Sequence, residues 1–199
     1  MSTLIKVRVR GKSQLYIHND LSNAAFYFWK RINQRFDDGD HEGIALEVTA
    51  CLTMIAFAAE ARVNFLGYRL IDPWRERDPA WVKLETISKH LGIDPDKTTR
   101  PFLTLDRLKS FRDAIAHGKP KEIPVDTELV TTQEELEKKN LLETEWDTFI
   151  TREFMNEAYE DAEGLWRDML KASGLNIMDT LTQGERQFSI IANVGDLVE

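Results

Sequence analysis

The run Phe111-Arg112-Asp113-Ala114-Ile115-Ala116-His117-Gly118-Lys119-Pro120 puts a guanidinium and an imidazole on one short segment, separated by four residues. An arginine keeps its charge at every accessible pH and matches the oxygen geometry of a phosphate. An imidazole, titrating near 6.5, takes and gives protons around neutrality. Together they suffice for cleaving a phosphodiester beside a ribose hydroxyl. Arg112 would grip the phosphate and offset the charge that builds on it in the transition state. His117 would take the 2′-hydroxyl proton or protonate the leaving 5′-oxygen. The products of such chemistry carry a 2′,3′-cyclic phosphate, and neither a metal nor an organic cofactor is required. Asp113 stands where it could orient either partner, or be a solvated helix residue. Glu60, one turn before Asn64 in an otherwise apolar stretch, offers Arg112 an acid, as a site element or as a plain interhelical ion pair.

The same residues also describe an ordinary helix end: a cation in the last turn, a left-handed Gly118, then Pro120. Positions five apart on a helix point about 140° apart, because each residue turns about 100°. Arg112 and His117 therefore converge only if the helix end unwinds, or if two copies of the chain each contribute. The small apolar residues between them, Ala114, Ile115 and Ala116, let the segment lie close to another helix or another copy.

The run FRDAIAHG closely resembles the signature of the HEPN superfamily: Arg, a polar residue, small apolar residues, His. The resemblance covers the core from about Leu21 to Leu170, and its specific part is Phe111 to Gly118. It implies a helical, usually dimeric domain, often a ribonuclease of toxin–antitoxin or phage-defence systems. Two motif helices then meet across a twofold axis, with Arg and His from both chains lining one cleft. Arg112, Asp113 and His117 occupy the matching positions. A homodimer, an RNA substrate and an antitoxin or other protein partner are the expectations that follow. The alternative is a non-catalytic module of the same kind that binds RNA, nucleotide or a protein. One branch carries a Tyr two positions beyond the His, where this chain has Lys119.

The 199 residues are enough for one sizeable core, with a net charge of −8 that argues at first against a nucleic-acid partner. The distribution matters more. Residues 122–164 hold 14 acidic and 3 basic side chains, whereas 101–121 hold five basic and two acidic ones. Residues 1–12 carry Lys6, Arg8, Arg10 and Lys12 and no acid. The motif thus lies in a locally basic segment of an acidic chain. Cys51 is the single cysteine, set among Ala, Leu and Met, so it reads as a small core residue and no thiolate metal site is expected. The longest apolar stretch, Cys51 to Leu66, is interrupted by Glu60, Arg62 and Asn64 and reads as too short to span a membrane. The first residues lack the order of a secretory signal, so a cytoplasmic chain without membrane contact is expected.

Hydrophobic periodicity predicts the elements that must hold the motif. Ile5, Val7 and Val9 alternate with Lys6, Arg8 and Arg10 as a strand. A turn at Gly11-Lys12 and a return over Leu15–Ile17 complete an N-terminal β-hairpin within residues 1–18. The basic row is the solvated face of an edge strand or a nucleic-acid contact. Residues 19–174 read as an up-and-down helical bundle, mainly α. Its helices run over Leu21–Phe36, capped by Asn19 or Asp20, then Glu42–Leu70, Trp81–His90, Leu103 to Ala116 or His117, and Glu145–Lys171. On the second, Met54, Phe57, Ala58, Ala61, Phe65 and Tyr68 form one stripe. On the last, Ile150, Phe154, Ala158, Ala162, Leu165 and Met169 do so. Trp146, Tyr159 and Trp166 read as core or interface. His41 belongs to a loop and His90 to a helix end. Residues 118–142 read as a long exposed loop with one helical turn. In the tail, 175–199, residues 186–194 have strand character and can pair with the hairpin.

Overall fold

The computed structural model describes residues 4–120, 122, 126, 128–138, 144 and 146–193. This part is mainly helical, with a small two-stranded antiparallel sheet. In chain order the elements are β1 (Ile5–Gln14), α1 (Ile17–Asp37), α2 (Ile44–Leu70), α3 (Ala80–His90), α4 (Phe102–Ala116), α5 (Gln133–Lys138), α6 (Arg152–Ser173) and β2 (Gln183–Asn193).

The centre of the fold is α2, against which α1, α3, α4 and α6 all pack. Its buried seam is Val48, Cys51, Leu52, Ile55, Ala58, Arg62, Phe65 and Leu66. This corrects the expected stripe, since Tyr68 is 67% exposed and Met54, Phe57 and Ala61 are half-buried. The reason is that α2 is apolar nearly all round, so counting intervals of three and four selects several stripes equally well. The expectation for membrane spans needs the same correction. By length and composition alone α2 is apolar enough to cross a bilayer, with a mean hydropathy of 1.7 in its most apolar window. In the fold it serves as the core helix, and Cys51 lies fully inside, its thiol pushed up to about 12 by burial.

By contrast, α6 follows its sequence pattern closely. Phe154, Ala158, Ala162, Leu165 and Met169 are all buried, because the opposite face is charged and leaves one stripe to choose. Ile150, expected on that stripe, is half-buried and lies before the helix. The helix starts later than expected, at Arg152, where the Thr151 hydroxyl accepts a bond from the Phe154 N–H at 3.1 Å. A 3₁₀ turn over Asp147–Phe149 precedes it, and Glu145 lies outside the described residues. Trp146 and Tyr159 pack at the core margin, Tyr159 stacking on Trp29 at 4.6 Å, and Trp166 is buried. Of the expected 118–142 loop, the helical turn is α5; residues 121, 123–125, 127 and 139–142 lie outside the described residues.

The N-terminal hairpin is not formed. Gly11 and Lys12 sit inside a continuous ten-residue strand, β1, whose partner is the distant β2. Leu15 and Tyr16 leave the strand, and Ile17 already begins α1. A Cβ on Gly11 would stand 2.3 Å from the Glu185 carbonyl oxygen, so this glycine serves close strand approach rather than a turn. The expected pairing of the tail with the N-terminus is observed, and Val194 lies outside the described residues. The expected caps of α1 are also corrected. Tyr16 occupies the cap position, and the Asn19 side chain donates to the carbonyls of Tyr16 (3.2 Å) and Thr180 (2.8 Å).

That junction, where the sheet meets the helices, is closed by His18. It is 4% exposed, stacked among Tyr16, Phe65 and Trp166, and its Nε2 has no partner. Burial first, then the charge of Arg62, lower its pKa from 6.5 to about 4, against a hydrogen bond to the Thr180 backbone. The folded state therefore prefers neutral imidazole, and the unfolded chain binds the proton first as pH drops. Stability from this group is complete above 6.5 and is lost as pH falls toward about 4, by on the order of 3 kcal/mol. Thermal unfolding should show a larger drop in midpoint between pH 7 and about pH 4.5 for the wild type than for His18→Gln. Equal drops would contradict this assignment.

Candidate functional site

Helix α4 carries the motif, and its packing decides where the motif's side chains go. Phe102, Leu108 and Phe111 are buried at helical spacing and seat α4 on α2 and α6, each contributing about 2 kcal/mol. The buried Thr104 hydroxyl donates to Glu157 Oε1 on α6 at 2.9 Å and fixes the helix's rotation. With Phe111 turned inward, its neighbour Arg112 reaches toward α2. Its Nη2 donates to Glu60 Oε2 at 3.0 Å, and its Nε lies 3.3 Å from Asp113 Oδ1.

Glu60 does not serve Arg112 alone. Its other oxygen, Oε1, accepts a bond from Lys83 Nζ on α3 at 2.9 Å. Asp113 in turn takes Lys109 Nζ at 2.6 Å. The result is a line of alternating charge, Lys83–Glu60–Arg112–Asp113–Lys109, across three helices, three cations against two carboxylates. The line edges a cleft of about 70 Å³ whose walls are apolar, Trp81, Leu84, Leu105 and Trp166 among them. Side-chain exposure falls from 28% at Glu60 and 19% at Arg112 to 5% at Lys83, so the line runs from the mouth inward.

His117 is elsewhere. It caps the C-terminus of α4 with φ −118° and ψ 24°, its N–H donating to the Asp113 carbonyl at 3.0 Å. The residue is exposed, is not among those lining the cleft, and its imidazole has no partner among the described residues. Gly118 is not among the glycines with positive φ, so the left-handed helix ending expected from the sequence is not formed. Three of the four candidate residues, Glu60, Arg112 and Asp113, thus come together, and His117 stands apart at the helix end. Comparison with models of protein families, with curated proteins and with solved structures finds no match. The site is read from its own geometry.

Lys83 escaped the sequence reading, although it shares a helical face with Ile87, and a cation on a buried face signals an inward partner. Arg62, in the buried seam of α2, is a second case. Its Nη2 is bonded to Glu163 Oε1 on α6, and its guanidinium lies 5.3 Å over the Trp166 ring. No group of three or more potential metal ligands occurs among the described residues.

Removing a partner from a buried pair costs more than the pair contributes, because the survivor is left charged and dry. Glu60→Ala should therefore destabilise the fold by about 3 kcal/mol, since it strands Lys83. Arg112→Ala, which leaves Glu60 with Lys83, should cost roughly 1 kcal/mol. Urea unfolding of the two variants decides this. Equal costs would show that the charge line does not hold these helices together.

Proposed function

We propose that the chain is a metal-independent endoribonuclease of HEPN type, working as a homodimer whose α4 helices jointly build the site. The observation that carries this reading is the division of labour on α4. Arg112 is held in place by two carboxylates, while His117, five residues on, is exposed and its imidazole has no partner among the described residues. One chain holds an anchored cation and an unused imidazole that do not meet. A second copy would supply the missing half. Ile115, 40% exposed beside His117, gives that end of α4 an apolar contact surface.

In this reading Glu60 and Asp113 are positioning residues. They occupy Nη2 and Nε of Arg112, which leaves Nη1 to meet a non-bridging phosphate oxygen. His117 of one copy takes the proton from the ribose 2′-hydroxyl. The 2′-oxygen then forms its bond to phosphorus as the bond to the 5′-oxygen breaks. The imidazolium of the other copy protonates that leaving oxygen, giving a 2′,3′-cyclic phosphate and a free 5′-hydroxyl. Arg112 meets the charge that develops on the phosphorane oxygens. A role in toxin–antitoxin or phage-defence systems, with an antitoxin or other protein partner in the cytoplasm, is part of the same proposal. The engagement of Arg112 Nη2 and Nε by carboxylates favours a second reading, a non-catalytic module that binds RNA, nucleotide or a protein.

Incubating RNA with the protein in excess EDTA should give fragments ending in 2′,3′-cyclic phosphate by mass spectrometry. His117→Ala should reduce the rate by about 100-fold or more. Arg112→Ala should lose a comparable amount. Cleavage unaffected by either change would refute these roles, and absence of cleavage by an intact dimer would favour the binding module.

A further inference from the structure

The helical body leaves the two-stranded ribbon almost wholly uncovered. Every residue of β1 and β2 is exposed except Val7 and Ala192, which are half-buried. An isolated ribbon of this kind is marginal in water unless its cross-strand pairs hold it. Val7 faces Ile190 and Val9 faces Phe188, with Ile5 beyond, so one face of the ribbon is apolar. Side chains alternate, so the other face is set by the even residues of β1 and their opposites: Lys6, Arg8, Arg10 and Lys12, with Ser189 and Gln187 across from the two arginines.

These four cations differ from those that join or brace the helices. Arg31, Arg35, Lys83, Arg100 and Arg112 each sit on a carboxylate. Lys6, Arg8, Arg10 and Lys12 form no ion pair among the described residues, even though Glu185 lies opposite Lys12. A chain of net charge −8 has therefore left its most regular cationic row unneutralised. The row repeats about every 7 Å and extends for about 20 Å along one side of a narrow ribbon, with one register irregularity between Lys6 and Val7.

We infer that the basic face of this ribbon docks double-stranded DNA, lying in the major groove. A two-stranded ribbon is one of the two protein elements that the roughly 12 Å major groove of B-form DNA admits. Lysine and arginine there neutralise phosphates and meet guanine edges, and Gln187 has the amide that reads adenine. Other polyanions fit less well. The deep major groove of A-form RNA is too narrow for side chains to read. Single strands are held by aromatic platforms, and the ribbon's one aromatic, Phe188, is on the opposite face. A membrane surface would take up the exposed apolar face as well as the cations, so the vesicle arm of the test separates it from DNA. This inference stands independently of the nuclease reading.

The test is fluorescence anisotropy of a labelled mixed-sequence DNA duplex with the full chain, from about 50 to 200 mM salt. Four neutralised phosphates give a slope of log affinity against log salt of about −3.6, or roughly a 100-fold loss across that range. Arg8→Ala/Arg10→Ala should make the slope shallower by about 2. Both side chains are exposed, so the unfolding midpoint should not move. Lys6→Ala/Lys12→Ala should act the same way and guards against a local effect of the first pair. Absence of duplex binding at the lowest salt, or binding unaltered in both variants, would overturn the inference. So would equal or tighter binding to an RNA hairpin, a single strand or phosphatidylserine vesicles.

Discussion

A carboxylate on the chain's most apolar helix is the constraint on which the site depends. Glu60 faces the cleft between α2, α3 and α4, and each of its oxygens is taken by a cation from a different helix. Buried pairs of this sort add little net stability compared with apolar packing, but they penalise every arrangement that separates them. The geometry they enforce here is the rotation of α4. With Arg112 drawn inward to Glu60 and Phe111 sealed in the core, His117 falls at the exposed end of the same helix. The same contact that secures the arginine thus keeps the histidine away from it within one chain.

The electrostatics of the rest of the molecule follow a related logic. Much of the body's positive charge is used up internally, in pairs that join helices: Arg62 to α6, Arg100 to Asp161, Arg152 to Asp37. Other cations without an ion pair among the described residues lie on the helices and loops, Lys30, Arg75, Arg77, Arg167 and Lys171 among them. The ribbon, however, gathers four in one regular row, opposite most of its apolar side chains. An acidic overall charge therefore conceals a strongly cationic surface of regular spacing. At the junction between these two regions lies His18, which burial keeps neutral.

The sequence was most legible where its pattern allowed a single answer. On α6 a charged face opposes an apolar one, and the buried residues could be named in advance. The Glu60–Arg112 pair was legible for the same reason, as a polar break in an apolar surface facing the helix that carries the motif. On α2 apolar residues lie on every side, so periodicity could not say which would be buried, and Tyr68 was misplaced. The error at the N-terminus came from reading Gly11-Lys12 locally as a turn. Only the pairing with β2, more than 160 residues away, makes that glycine a strand residue. Lys83 and His18 were missed because each is a polar residue whose burial depends on contacts from elements distant in sequence.

In the proposed enzyme two copies of the chain share one site. The most direct measurement of this sharing is complementation between two inactive variants. Arg112→Ala and His117→Ala, denatured together and refolded as a mixture, form heterodimers that contain one intact arginine and one intact histidine on different chains. Partial recovery of EDTA-resistant RNA cleavage in the mixture is the predicted result. It should stay below the wild-type rate, because the heterodimer keeps one of the two histidines, but above either variant refolded alone, each of which lacks both copies of one residue. A mixture that forms heterodimers and stays as inactive as its components would contradict a shared site.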